Sequence, residues 1–385
     1  MFKQPNISES KLDDLANIFL IGTPISALPP AQQTQARNLT AEIFVVQQAN
    51  VNVSFNLQPS ESQGTGDGAG GSGAIKAGGG AQNITLMGQT TDEGDFDQFI
   101  PLTNVSGPSG YLLAGNATTH LQRMNIYTNG TDTGNATAYL VPPTGLTIVS
   151  DIDDILRVTK IWDPAVGLMN SFARAFVPWM DMPDIYANWS TAIPDMHFHY
   201  LTTTPEQVTR NYMDFIYKTY PGGSFDTRPL NFSDVSATLS IRRYLLEKIF
   251  QTYPTRKFIL IADTSNSDVM RDYPLMATEF PGQVQCIFLR NTSSTDPTDK
   301  FPYDTSGFQG LNQNMYMFFN VPDDLKNLDV VGGQCYNVSI KQNLTFSEQG
   351  LPFGLSKGAA GRAAMGWAVM GLPILVMIFW GVFGL

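Results

Sequence analysis

Two aspartates one residue apart, Asp151 and Asp153, come directly after the apolar run LTIVS at 146–150. A carboxylate so placed can attack phosphorus and form an acyl phosphate, and a second one beside it can give and take the proton that the reaction moves. Two further apolar runs end in residues of matching chemistry. MHFHYL at 196–201 leads into Thr202-Thr203-Thr204, and KFILIA at 257–262 leads into Asp263, with Asp268 five residues on. None of these ends offers a Ser–His or Cys–His nucleophile pair. Oxygen donors of this kind suit Mg2+, which keeps several waters and binds phosphate oxygens. Asp151, Asp153, Asp263 and Asp268 are therefore the candidate metal ligands, Asp151 the candidate nucleophile and Asp153 the candidate acid and base.

Bringing these ends together requires parallel strands, whose carboxyl ends share one edge where ligands bind. The runs at 146–150, 196–201, 257–262 and 284–289 are nearly all apolar, as strands covered on both faces are. Helical patterns alternate with them. Thr204, Pro205 and Gln207 form a helix-start signal, Val208, Tyr212, Phe215 and Ile216 recur at helical spacing, and Pro221-Gly222-Gly223 stops the run. A second helix near 237–251 sets Leu239, Leu246 and Phe250 on one stripe. The alternation predicts an α/β domain over 144–335. Residues 31–143 read differently. AEIFVVQQANVNVSFNLQ and NITLMGQTTDEGDFDQFIPL alternate in part and are broken by Gly, Asn and Asp, which predicts a β-rich, sandwich-like domain. It carries a glycine-rich insertion at 64–80 and is closed by Pro142-Pro143. No GKS/T follows the glycines, so they are not a phosphate loop.

TIVSDIDD, YLTTTP and KFILIADTSNSD together resemble the haloacid-dehalogenase (HAD-like) phosphatases, over about residues 142–330. More narrowly, they resemble the catalytic domain of the fungal actin-patch-type phosphatidate phosphatases, relatives of the lipins. The resemblance implies a Rossmann-type parallel sheet and Mg2+-dependent hydrolysis of a lipid phosphomonoester such as phosphatidate. It gives Asp151 the role of nucleophile, Asp153 that of general acid and base, Thr202 and Arg242 that of phosphate binding, and Asp263 with Asp268 that of the acidic metal motif. Two positions depart from the family pattern: Ile155 stands in place of threonine, and Arg242, in SIRRYLLEKIF, in place of lysine. A rival reading follows from these departures, a catalytically weakened glycosylated surface protein that binds a lipid or glycan. His197 and His199 alternate on one strand and read as sheet-packing residues.

The whole chain has 385 residues, a net charge of −11 and a pI of about 4.7, which excludes the basic face that nucleic acid requires. Thirteen of its 24 asparagines open an Asn-x-Ser/Thr triplet: Asn6, Asn38, Asn52, Asn83, Asn104, Asn116, Asn129, Asn135, Asn188, Asn231, Asn291, Asn337 and Asn343. Chance would give about four, so the excess predicts lumenal or extracellular exposure, where Cys286 and Cys335 could pair. After a linker at 336–362, residues 363–385 carry no charge and are long enough to span a bilayer or to serve as a removable anchor signal. The expected setting is a membrane-anchored protein of the secretory pathway or cell surface. The start MFKQPNISESKLDD has no signal-peptide core, so an upstream signal is expected; a tail-anchored protein facing the cytosol is the alternative.

Overall fold

The computed structural model describes residues 2–20, 22–59, 82–92, 94–100, 121–128, 135–228, 235–299 and 302–349. The glycine-rich stretch at 64–80, the triplets at Asn104, Asn116, Asn129 and Asn231, and the apolar run at 363–385 lie outside them. Among the described residues no helix is long and apolar enough to cross a membrane.

Two short strands, β1 (Phe2–Lys3) and β2 (Val46–Gln47), pair antiparallel around two helices, α1 (Glu9–Phe19) and α2 (Pro30–Ile43). The helix α2 occupies the start of the stretch expected to be β-rich. Its buried face is narrow (Ala36, Leu39 and Thr40), and Pro30 sits at its first turn, where a proline's missing N–H is harmless. Both helices pack on the α/β domain: Phe19 stacks on Phe172 at 4.5 Å, and Arg210 Nη1 donates to the Glu42 carbonyl at 3.1 Å.

Strands β3 (Asn52–Pro59), β4 (Gln82–Gln89), β5 (Gln122–Thr128) and β6 (Asn135–Leu140) form one antiparallel sheet in the order β4-β3-β5-β6. The β-rich expectation holds here. The described residues give a single four-stranded layer, however, rather than the two facing sheets of a sandwich. Its core is two small groups, Val53, Phe55 and Leu86 in one, Leu57 and Met124 in the other.

The α/β domain follows the expected alternation. Its strands are β7 (Leu146–Ser150), β8 (His197–Pro205), β9 (Ser224–Arg228), β10 (Lys257–Asp263), β11 (Val284–Arg290) and, beyond the short β12 (Tyr303–Asp304), β13 (Tyr316–Phe319). All five pairings among these six strands run parallel, in the order β9-β8-β7-β10-β11-β13. Alternate side chains feed two cores. On one face Ile148, Ile259, Ile261 and Phe288 meet α4 (Met182–Ala192) and α5 (Glu206–Thr219). On the other, Val149, Leu260, Ala262 and Ile287 meet α6 (Val235–Thr252) and α7 (Ser267–Glu279). Burial on both faces is why these strands read as unbroken apolar runs. The helix expected to have Thr204 as its N-cap and Pro205 as its first residue is instead capped by Pro205 and starts at Glu206, because β8 continues through Pro205.

Residues 336–349 were expected to be linker, yet they dock. Tyr336, Ile340 and Leu344 pack against the two cores, and β14 (Glu348–Gln349) pairs with β12. Cys286 of β11 and Cys335 are joined in a disulfide with Cα atoms 5.3 Å apart.

Candidate active site

The strand order reverses between β7 and β10, and their carboxyl ends open the crevice where such sheets bind ligands. Asp151 follows β7 and Asp263 ends β10, and the Asp151 amide donates to the Ile261 carbonyl at 2.8 Å, which fixes one strand end against the other. One side chain spans the two carboxylates. Asn266 Nδ2 donates to Asp263 Oδ2 at 2.9 Å and to Asp151 Oδ2 at 3.2 Å. Asp263 also accepts from the Ser265 amide at 2.7 Å and from the Ser265 hydroxyl, and no Lys, Arg or His among the described residues forms an ion pair with it.

Burial dominates the electrostatics of this pair. It pushes Asp151 up to about 6, against the opposing pull of Arg242 and with Asp153 adding repulsion. It pushes Asp263 up to about 8, with Asp154 and Asp151 adding repulsion. Two buried, mutually repelling carboxylates with oxygen donors only are the chemistry that suits a hard divalent cation. Among the described residues no group of three or more His, Cys, Asp or Glu side chains is gathered to hold a metal, so the four expected carboxylates do not meet at one point.

The other two have separate partners. Asp268, in the first turn of α7, accepts the Val269 amide at 2.8 Å and Arg242 Nε at 2.9 Å. Arg242 is fully buried in α6 and its Nη2 donates to Asp151 Oδ2 at 3.1 Å. Burial works against its charge, and Asp151 and Asp268 outweigh it and hold the guanidinium firmly protonated. Its Nη1 is buried without a hydrogen-bond partner among the described residues, leaving a donor for an anion beside Asp151. Asp153, two residues past Asp151, accepts from Arg157 Nε at 3.0 Å, Thr159 Oγ1 at 2.7 Å and Thr204 Oγ1 at 3.3 Å. Thr202, buried within β8 three residues before its end, accepts the Thr204 amide at 3.1 Å.

Sequence reasoning missed four residues here. Asn266 is one. Asp154 holds a left-handed backbone (φ 58°) and accepts the amides of Thr159, Lys160 and Ile161 at 2.8–3.1 Å, so it shapes the loop after β7. Arg157 reaches Asp153. Arg290 ends β11 beside Asp263, donates to the Asp154 carbonyl and lies 4.1 Å over the Trp179 ring. Only Asp154, inside the DIDD run, had a local signal. Ile155 is fully buried in the core, so its side chain faces packing rather than substrate. Trp162, Trp179 and Trp189 are buried as well. His197 and His199 are buried in the sheet, with His199 Nε2 2.9 Å from Asp226.

The α/β domain that carries the parallel order, crevice and paired carboxylates is also a part of the chain that a known family matches. Residues 146–291 match the family described as the catalytic domain of the phosphatidate phosphatase APP1. Over 164 residues, 41% of this chain, the sequence is 27% identical to the phosphatidate phosphatase APP1 of Saccharomyces cerevisiae. The match spans 28% of the yeast protein's length.

Proposed function

We propose that the α/β domain is a Mg2+-dependent phosphatidate phosphatase that works through an aspartyl phosphate on Asp151. The observation that carries the reading is the pair of buried carboxylates, Asp151 and Asp263, at the point where strand order reverses, with a spare guanidinium donor of Arg242 alongside. Arg242 Nη1 and the Thr202 hydroxyl would bind phosphate oxygens and set phosphorus against Asp151. Asp151 attacks and the alcohol leaves with a proton from Asp153; Asp153 then takes a proton from the water that releases phosphate. Asp151 and Asp263 would hold Mg2+, which supplies charge neutralisation for the phosphoryl oxygens when bound. The test is phosphate release from phosphatidate and from p-nitrophenyl phosphate, with Mg2+ or EDTA, in wild type and Asp151→Asn. Release that needs Mg2+ and disappears in the variant is expected; wild-type rates in Asp151→Asn would remove the mechanism.

We further propose that the protein matures in the secretory pathway, with the 363–385 run serving as membrane span or anchor signal. The Cys286–Cys335 disulfide supports this, as does the exposure of Asn6, Asn38, Asn52, Asn83, Asn188 and Asn343, although Thr40 of the Asn38 triplet is buried. Asn291 is a poorer acceptor, because its side chain caps the helix α8 (Thr292–Thr295) by accepting the Ser294 amide at 3.2 Å. Glycosidase treatment of the protein from its native host should increase gel mobility; unchanged mobility argues for the cytosolic orientation.

A further inference from the structure

The two oxygens of the Asp153 carboxylate are held unequally. Oδ1 accepts from Arg157 Nε at 3.0 Å and Thr159 Oγ1 at 2.7 Å, and Arg157 Nη2 also lies 2.7 Å away. Oδ2 accepts a single long bond, from Thr204 Oγ1 at 3.3 Å. An oxygen that faces three donors has no lone pair left for a proton, so only the second oxygen can carry one. Arg157 is itself fixed from every side. Its guanidinium lies 4.4 Å over the Tyr212 ring and 5.2 Å from that of Phe176, and Nη2 donates to Ser171 Oγ at 3.1 Å. Nη1 donates to the Asn170 carbonyl at 3.4 Å, so the guanidinium joins Asp153 to the end of α3 (Pro164–Phe172). Asp154 adds the backbone support: its amide donates to the Arg157 carbonyl at 2.9 Å while its carboxylate holds the Thr159 amide.

We propose that Arg157 is a positioning residue that decides which oxygen of Asp153 handles the proton. The inference rests on the hydrolase reading above. Protonated Oδ2 gives its proton to the ester oxygen as the bond from phosphorus to the alcohol breaks and the bond from Asp151 to phosphorus forms. The freed Oδ2 then takes a proton from water as the water oxygen bonds phosphorus and the acyl phosphate to Asp151 breaks. Arg157 keeps Oδ1 occupied throughout and so holds Oδ2 toward the leaving group.

The substrate's leaving group separates this role from a merely structural one. An alkoxide needs a proton in order to leave, and p-nitrophenolate does not. Wild type, Arg157→Met and Arg157→Lys are assayed in Mg2+ with a short-chain phosphatidate and with p-nitrophenyl phosphate. Arg157→Met is expected to lower kcat on phosphatidate by about 100-fold and on p-nitrophenyl phosphate by less than about 10-fold, with KM little changed. Arg157→Lys should fall between, because an ammonium supplies a point charge without the two-pronged donor. A crystal structure of Arg157→Met should show the Asp153 carboxylate turned from its wild-type position. Equal losses on both esters, or an unmoved carboxylate, overturn the positioning role and leave the hydrolase reading intact. A wild type that releases no phosphate from either ester overturns that reading and the role together.

Discussion

The crevice between β7 and β10 and the loop that follows β7 both carry aspartates, and they treat them in opposite ways. In the crevice Asp151 and Asp263 face each other across one neutral amide and are pushed to about 6 and about 8. In the loop, Asp153 is held by a guanidinium and two hydroxyls, and Asp154 by three backbone amides. A carboxylate saturated on both oxygens, as Asp154 is, builds shape; one held mainly on a single oxygen, as Asp153 is, is aimed; carboxylates left facing one another create a demand for positive charge. Identity alone therefore does not sort the aspartates of the DIDD run; their donors do.

Asp151→Asn should produce the largest effect, lowering phosphate release by about 1,000-fold or more while Tm stays within a few degrees. A large fall in Tm instead would make Asp151 a structural residue like Asp154. The next effect is on stability. Because the folded crevice holds its protons more tightly than the unfolded chain, this pair favours the folded metal-free protein most below about pH 4. The protein should lose on the order of 8 kcal/mol from this pair as pH rises toward 8, with no further loss from it above that. Melting curves across this range in EDTA and in Mg2+ check it, and Mg2+ should flatten the slope; identical curves would mean that the pair has no demand for a cation. Asp154→Ala strands three amides and should destabilise by about 3 kcal/mol in urea titrations. A loss under about 1 kcal/mol would blur the contrast between loop and crevice. Smallest, Thr204→Val removes the long bond to Asp153 Oδ2 and should lower kcat on phosphatidate by about 5-fold at most, read in the same assay.

The parallel strands were legible because burial on both faces writes an uninterrupted apolar run, and Asp151, Thr202 and Asp263 were legible because they end such runs. Arg157 and Arg290 were not. Arg157 finds Asp153 through a loop held by Asp154, and Arg290 owes its place to the register of β11 beside β10. Residues of α2 also misled, since a stripe of Ala36, Leu39 and Thr40 is too small and polar to announce a helix just before the strand-like FVV at 44–46. The docking of 336–349 rests on single side chains in irregular backbone, which leaves no period to read.

The Cys286–Cys335 disulfide also has a mechanical meaning. A pull on the chain beyond Cys335 passes through the sulfurs directly into β11, a strand flanked on both sides, rather than into the edge strand β13. The intervening chain, with β13 and the α8 cap, is bypassed and carries no tension while the bond is intact. Reduction reroutes the load to the sheet edge, where strands can peel one hydrogen bond at a time. The bond thus acts as a strain relief between whatever holds the C-terminal side of the chain and the strand that places Arg290 beside Asp263.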